Sequence, residues 1–388
     1  MSDLSWSDGP LQPLAGVTVV DLSRHLPGPW LTRILSDLGA TIIKIESPRG
    51  DPLRHVHPKV NGLGAAFASV NAGKQSVAVD MRAEEGRALL LELAARADIL
   101  VESFRTGVLA AMGLDEATLE QANPRLIFCS LTGYGQTGPD ARRAGHDINF
   151  LARAGLLSQS GPADGTPANP FVQVADVAGG SLPAVIGILA ALRERDQTGR
   201  GRRLDLSMTR SVAGMGVLAL SHAAAGHVEP GGAGMLTGGL PCYRCYPTGD
   251  GRDIALGALE PHFFARFCVL IGRPDLAERP FAQGAEGQET VDGIVAALAE
   301  KGRDEWAAIF DGEDVCVEAV LTPAEALEGL DEVVETVGGR AVVGLHIGAP
   351  LSVTAEAPTL GAGGADACRS IGADEAVVAA ALESGALK

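Results

Sequence analysis

Aromatic side chains are scarce in this sequence: they make up 4% of 388 residues, with 3 Trp, 3 Tyr and 10 Phe. Packing therefore falls to Ala, Val, Leu and Gly, the last present 50 times. Cations are short as well, 31 Lys plus Arg against 48 Asp plus Glu, for a formal net charge of −17. That deficit argues against a general nucleic-acid binder, because neutralising phosphates needs a surplus of cations. It argues equally against a protein held on an anionic membrane surface. Long apolar runs are missing: Leu182–Leu192 and Val212–Leu220 are about half the roughly 20 residues of a membrane helix. Met1 to Asp8 lacks the basic-then-apolar pattern of a leader, and the closing Gly-Ala-Leu-Lys is not a peroxisomal address. A cytoplasmic protein is expected, with the cysteines at 129, 242, 245, 268, 316 and 368 acting mostly as small buried hydrophobes. Cys242 and Cys245 form a lone C-x-x-C with no second pair to complete a zinc site, so packing is the reading and no metal is expected. Walker A, G-x-S-x-G and H-E-x-x-H patterns are absent too.

What is present is enough for a sizeable core. Apolar residues reach 46% and charged residues 20%, which excludes disorder, and the length suits two domains or one large body with a lobe. The first half reads as βαβ units: strand Val17–Leu22, helix Trp30–Leu38 capped by Gly39, strand Thr41–Ile45, then Val77–Val79, Glu84–Ala97, Asp98–Val101, a helix near Gly113–Asn123 and the run Leu126–Leu131. Such alternation implies a mainly parallel sheet covered on both faces. A long helix is expected over Val177–Arg195. Composition changes near residue 225, where Gly231–Gly239 precedes short elements around Tyr243–Pro247 and Asp253–Gly257 and helices at Glu260–Ile271 and Thr290–Lys301. Residues 230–320 are read as a smaller α+β domain. Residues 1–225 form the large α/β domain, to which 321–388 return with a helix over Pro323–Val334, extended structure at Ala341–Leu351 and a closing helix at Asp374–Leu387.

Two features suggest a dinucleotide site and neither satisfies one. The loop after the first strand, Ser23-Arg-His-Leu-Pro-Gly-Pro29, has one glycine where the fingerprint needs three, although the next strand ends in Glu46. A literal G-x-G-x-x-G occurs at Gly133–Gly138, but Pro139 and a polar stretch follow it instead of an apolar helix, so a turn lining a substrate is the better reading. More telling is Gly145-His146-Asp147-Ile148-Asn149, where a histidine stands at a helix start near free backbone N–H groups. Asp176 lies in the apolar run Val172–Gly180, where a carboxylate is a helix cap, a functional acid or both. Glu260 occupies a strand-to-helix junction in Gly257-Ala-Leu-Glu-Pro261, with a first-turn acid as its plain alternative.

Taken together these segments resemble the family III CoA-transferase superfamily of CaiB/BaiF type, and within it the α-methylacyl-CoA racemase branch. Leu38-Gly-Ala-Thr-Ile-Ile-Lys-Ile-Glu46, Leu131-Thr-Gly-Tyr-Gly-Gln-Thr-Gly-Pro139 and Thr198-Gly-Arg-Gly201 leading into Leu204-Asp-Leu-Ser207 carry the superfamily resemblance. The motifs around His146, Asp176 and Glu260 favour the racemases over the transferases. The resemblance implies a Rossmann-like large domain, a small domain and an interlocked homodimer. It implies an acyl-CoA thioester as substrate, with no cofactor, while the charge balance leaves no nucleic-acid or membrane partner expected. His146, supported by Glu260, and Asp176 would be the two proton carriers that invert an α-carbon through an enolate, with the backbone N–H of Asp147 on the oxyanion. A transferase would instead use Asp176 to attack the thioester. Lys74, Arg82, Arg105 and Tyr243 are the expected substrate contacts. Ser47, Gln75 and Ala111 stand where the superfamily commonly has arginines. Either Arg24, Arg49, Arg82 and Arg105 re-form the cationic patch, or the thioester is a pantetheine-linked acyl group.

Overall fold

Apolar runs of strand and helix period alternate through the first half of the chain, and strands and helices alternate accordingly. The computed structural model describes residues 9–162, 165–228, 230–330, 333–348 and 355–388. Met1 to Asp8, where a leader pattern was sought, lies outside the described residues. The chain divides into two compact units: Met1–Ala154, Val172–Met215 and Leu330–Lys388 make the first, and Gly155–Phe171 with Gly216–Gly329 the second. Residues 155–171 and 216–225, expected in the large body, thus belong to the second unit, since no local shift in composition marks either crossing.

In the first unit β1 (Thr18–Asp21), α1 (Pro27–Asp37), β2 (Thr41–Glu46), β3 (Gln75–Ala78), α2 (Glu84–Arg96), β4 (Ile99–Glu102) and β5 (Ile127–Thr132) follow one another. The helix α3 (Asp147–Arg153) comes next, then α4 (Leu182–Thr198), β6 (Arg202–Ser207) and α5 (Met208–Met215). All six strands are parallel, in the order β3-β2-β1-β4-β5-β6. Burial on both faces explains why β5, Ile-Phe-Cys-Ser-Leu-Thr, is buried at every position instead of alternating. The order reverses between β1 and β4, and in open parallel sheets the crevice outside the carboxyl ends at that switch point is where ligands bind.

The long helix exceeds its expected span. A helical turn at Val174–Asp176 and a π-turn at Val177–Ser181 run into α4 without a break. The resulting 25 residues are long and apolar enough, by those two measures alone, to cross a membrane. Here Ala184, Val185, Ile188, Ala191 and Leu192 are buried, and α4 packs on β5, β6 and α1 as a core helix does.

The second unit is built on the antiparallel strands β7 (Tyr243–Pro247), β8 (Asp253–Gly257) and, later in the chain, β9 (Val317–Ala319), with β8 in the middle. Between β8 and β9 come α6 (Pro261–Leu270), α7 (Gly284–Leu298) and α8 (Arg303–Phe310). The few aromatics concentrate here: Tyr246, Phe264, Phe267, Trp306 and Phe310 share one core. Cys242 is buried in it while Cys245 is exposed, so the C-x-x-C pair is split between inside and outside.

The helix expected over Pro323–Val334 is one short turn, Pro323–Ala326, in the last part of the second unit; Asp331 and Glu332 lie outside the described residues. Val334 begins instead a hairpin of β10 (Val334–Val337) and β11 (Arg340–Val343), turned by Gly338 and Gly339. Extended structure expected to Leu351 ends at Val343, and residues 349–354 lie outside the described set. Two last helices, α9 (Gly364–Ser370) and α10 (Glu375–Glu383), close the first unit, with α10 against α2. The chain then seals the free edge of β3: Gly363 N–H donates to the Ser76 carbonyl, Asp80 N–H to that of Ala386 and Lys388 N–H to that of Ala78.

Candidate active site

The loop leaving β1 is held from below by buried charge. Asp21, at the end of that strand, accepts from the Thr32 hydroxyl at 2.6 Å and the Ser23 N–H at 2.9 Å, and pairs with Lys74 Nζ at 3.3 Å. Lys44 Nζ donates to the Ser23 carbonyl at 2.9 Å and pairs with Asp51 at 3.1 Å. Gly28 is required beside this network, because a Cβ there would stand 2.1 Å from that of Ser23. So braced, the loop presents Arg24 and His25 outward, and His25 adopts a left-handed φ of 65°. Glu46, the acid that would read a ribose in a dinucleotide site, is instead buried against Arg54, the Ser76 hydroxyl and the Asp51 N–H.

After β5 the glycine-rich turn folds over Phe150. A Cβ at Gly133 would lie 2.2 Å from that ring, and Tyr134 meets it edge-on at 5.2 Å between centroids. Gly133 to Gly138 is therefore a turn shaped for close packing, and its Gly133 and Tyr134 line a cleft. His146 caps α3: its N–H donates to Asn149 Oδ1 at 3.0 Å and its carbonyl accepts from the Asn149 N–H at 2.8 Å. The Asp147 N–H, at the first position of the helix, has no acceptor among the described residues. Asp147's carboxylate reaches across to accept the backbone N–H of Asp176 at 2.9 Å, tying α3 to the start of the long helix. Asp176 stands where the π-turn begins, a distortion frequent at functional sites.

These pieces meet in a cleft of about 370 Å³ at the switch point, lined by Arg24, His25, Arg105, Tyr134, His146 and Asp176 among others. Its electrostatics are lopsided. Asp176 has no cation partner among the described residues; burial, and then the like charge of Asp147, push its carboxyl up to about 7. The His25 imidazole is pulled below its ordinary value by desolvation, opposed by Asp51 and reinforced by Arg24 and His146. The guanidinium groups of Arg24 and Arg105 make no hydrogen bond or ion pair among the described residues, whereas Arg143, also in the cleft, pairs with Asp140 at 3.0 Å.

The expected site residues therefore separate into groups. His146, Asp176 and Arg105 share the cleft, and Asp147 is bonded to Asp176. Lys74 is corrected: it is fully buried and saturated by Thr32 Oγ1, the Pro29 carbonyl, Asn71 Oδ1 and Asp21, so it cannot meet a substrate. Arg82 is exposed beyond β3 and lines no part of the cleft. Glu260 and Tyr243 belong to the second unit, where exposed Glu260 caps α6 and Tyr243 opens β7. Of the proposed replacements, Arg24 lines the cleft and Arg49 does not. Sequence reasoning passed over His25 and Arg143. Position in the loop of the first βα unit was the available signal for His25; nothing local marked Arg143. Among the described residues no group of three His, Cys, Asp or Glu is placed to hold a metal ion.

Comparison with known proteins adds the following. The model of CoA-transferase family III matches residues 14–361. An α-methylacyl-CoA racemase of Mus musculus is 38% identical over 81% of this chain and 79% of its own length. A succinyl-CoA:glutarate CoA-transferase of Mus musculus is 35% identical over 79% of this chain and 71% of its own length. Among solved structures, a CAIB/BAIF family protein from Brucella suis superimposes with a TM-score of 0.82 at 31% identity, over 93% of this chain and all of the other.

Proposed function

The chain belongs to CoA-transferase family III, and from that premise we propose that it is a racemase inverting the α-carbon of a 2-methylacyl-CoA thioester. The observation that carries this reading is a histidine and an aspartic acid lining one cleft, with the carboxyl held near 7. Inversion requires one group to take the α-proton and another to return a proton from the opposite face. Each group must then run in reverse for the other enantiomer. A carboxyl near 7 is divided between its acid and base forms at neutral pH, which suits that exchange of roles. His146 takes the proton in one direction and Asp176 in the other. The thioester oxygen, gaining charge as the enolate forms, receives the Asp147 N–H. Arg24 and Arg105, whose guanidinium groups are uncommitted, bind the phosphates of CoA.

A second reading stays in view because transferase relatives are nearly as similar. There the Asp176 carboxylate would attack the thioester carbon, expel the CoA thiolate and form a mixed anhydride. The thiolate would take the aspartyl carbonyl and release the first acid, and a second carboxylate would reverse these steps to leave as its own CoA thioester. A carboxyl raised to about 7 would serve this attack as well as it serves proton transfer. What favours the racemase is His146 in the same cleft, for which the attack has no role. Incubation of the protein with an (R)-2-methylacyl-CoA in deuterated water separates the two. Epimerisation with one α-deuterium supports the racemase; acyl exchange that depends on added carboxylate, without deuterium, replaces it with the transferase. A homodimer is part of the proposal, supported by the outward Val217 and Leu218, 62% and 57% exposed, and a sedimentation mass of one chain would remove it.

A further inference from the structure

The second unit contains a cavity that the proton transfers above do not use. Its volume is about 590 Å³, within the range of small-molecule sites. β7 and β8 supply one side, with Arg244 opposite Leu256 in the ladder, and the glycine-rich segment supplies the other through Leu236 and Thr237. Arg33, Arg195 and half-buried Arg244 each have a buried nitrogen without an acceptor, but Arg244 alone of the three has no ion pair among the described residues. Arg33 pairs with Asp37 at 2.7 Å, Arg54 with Glu46 at 2.5 Å and Arg303 with Glu325 at 2.6 Å. The Arg244 Nε is buried and has no acceptor, and the guanidinium lies over the Tyr246 ring, 5.5 Å from its centroid. A half-buried guanidinium beside an apolar cavity, without a counter-ion among the described residues, is a cost that native structures rarely carry without a reason.

We infer that this cavity binds a small aliphatic carboxylate, with the Arg244 guanidinium as its anion contact. A planar guanidinium matches a carboxylate through two parallel hydrogen bonds, here from its two terminal nitrogens. One cation balances one carboxylate, whereas a phosphate dianion would remain half uncompensated in a protein already at −17. Leu236, Ala255 and Leu256 offer the apolar wall that an aliphatic body needs. Such a carboxylate can be a free acid or the far end of an acyl-CoA chain; the second source rests on the reaction proposed above, the first does not.

Calorimetry on the full-length protein with hexanoate and its neutral isostere hexanamide tests the site itself. Hexanoate is expected to bind at least about tenfold more tightly than hexanamide, and Arg244→Gln is expected to abolish that preference while Arg244→Lys keeps part of it. Equal affinity for acid and amide, or an unchanged preference in a folded Arg244→Gln protein, overturns the inference. Epimerisation of a 2-methylacyl-CoA ending in a carboxylate, compared with its methyl ester, then identifies the source. A KM raised about tenfold by Arg244→Gln for the acid alone assigns the site to the acyl terminus, and no selective change assigns it to free acids. If neither thioester is epimerised by the unaltered protein, the racemase reading fails while the hexanoate result still stands on its own.

Discussion

Two charged regions of the first unit follow opposite rules. Around Asp21, below the loop, each ion has an opposite within reach: Lys74 on Asp21, Lys44 on Asp51, Arg54 on Glu46. Burial raises the Asp21 carboxyl, but the two lysines and the Ser23 and Thr32 hydroxyls outweigh it and leave the acid below its ordinary value. Around Asp176, in the cleft, the nearest charge is another aspartate while Arg24 and Arg105 are uncommitted, and the same residue type ends near 7. The first arrangement consumes its charges in holding a loop. The second leaves them available for a substrate. A family motif read along the chain cannot tell the two apart, which is why the resemblance put Lys74 among the substrate contacts.

Breaking the lower region should have the largest effect, and on stability. Lys74→Met leaves Asp21 buried without its ammonium, and loss of one partner of a buried pair costs about 3–5 kcal/mol. Denaturant unfolding should register that loss, and an unchanged midpoint would put the network outside the folding balance. Breaking the upper region should spare folding and remove chemistry. His146→Ala and Asp176→Ala are each expected to slow epimerisation by at least about a hundredfold, the scale of lost general acid–base catalysis. A folded His146→Ala protein at full rate would end the racemase reading.

How much of this was legible beforehand depends on the range of the interactions. The parallel sheet and the segments bearing His146 and Asp176 could be read, because apolar period and motif are local. The bond from Asp147 to Asp176 spans 29 positions and the Lys74 pair 53, distances over which a single sequence carries no pattern. The His25 φ of 65° was hidden for a different reason: the left-handed region is usually given to glycine, so a histidine there is invisible until the backbone is seen.

Smaller changes sharpen the contrast. Arg24→Ala and Arg105→Ala should each raise KM for a CoA thioester about tenfold, as the loss of one charge-assisted phosphate contact does, with less effect on the matching pantetheine thioester. Equal losses on both thioesters would show that the nucleotide half is not held. Asp176→Asn should make the protein more heat-stable at pH 8. A folded-state carboxyl raised to about 7 adds stability that is complete below the unfolded value of 3.8 and lost as the pH climbs through 7, so the asparagine variant gains most above 7. The two melting curves should converge toward pH 4, and a constant gap would mean the acid is not perturbed. Smallest of all, Asp147→Asn should lower the pH at which Asp176 titrates in the pH–rate profile, and by less than burial raises it, since the aspartate's charge ranks below burial among the causes. An unmoved profile would show that the two carboxylates are not coupled.

The covered edge of β3 bears on how the polypeptide is made. Ser76 in that strand meets Gly361, 285 positions later in the chain, and the residues around 386–388 finish the cover. At ribosomal speeds of about 5–20 residues per second, the strand spends roughly 15–60 s exposed before its cover emerges. An uncovered parallel sheet edge is a template for other chains. Removal of α10 and the residues after it should therefore convert soluble expression into aggregates despite the strong negative charge.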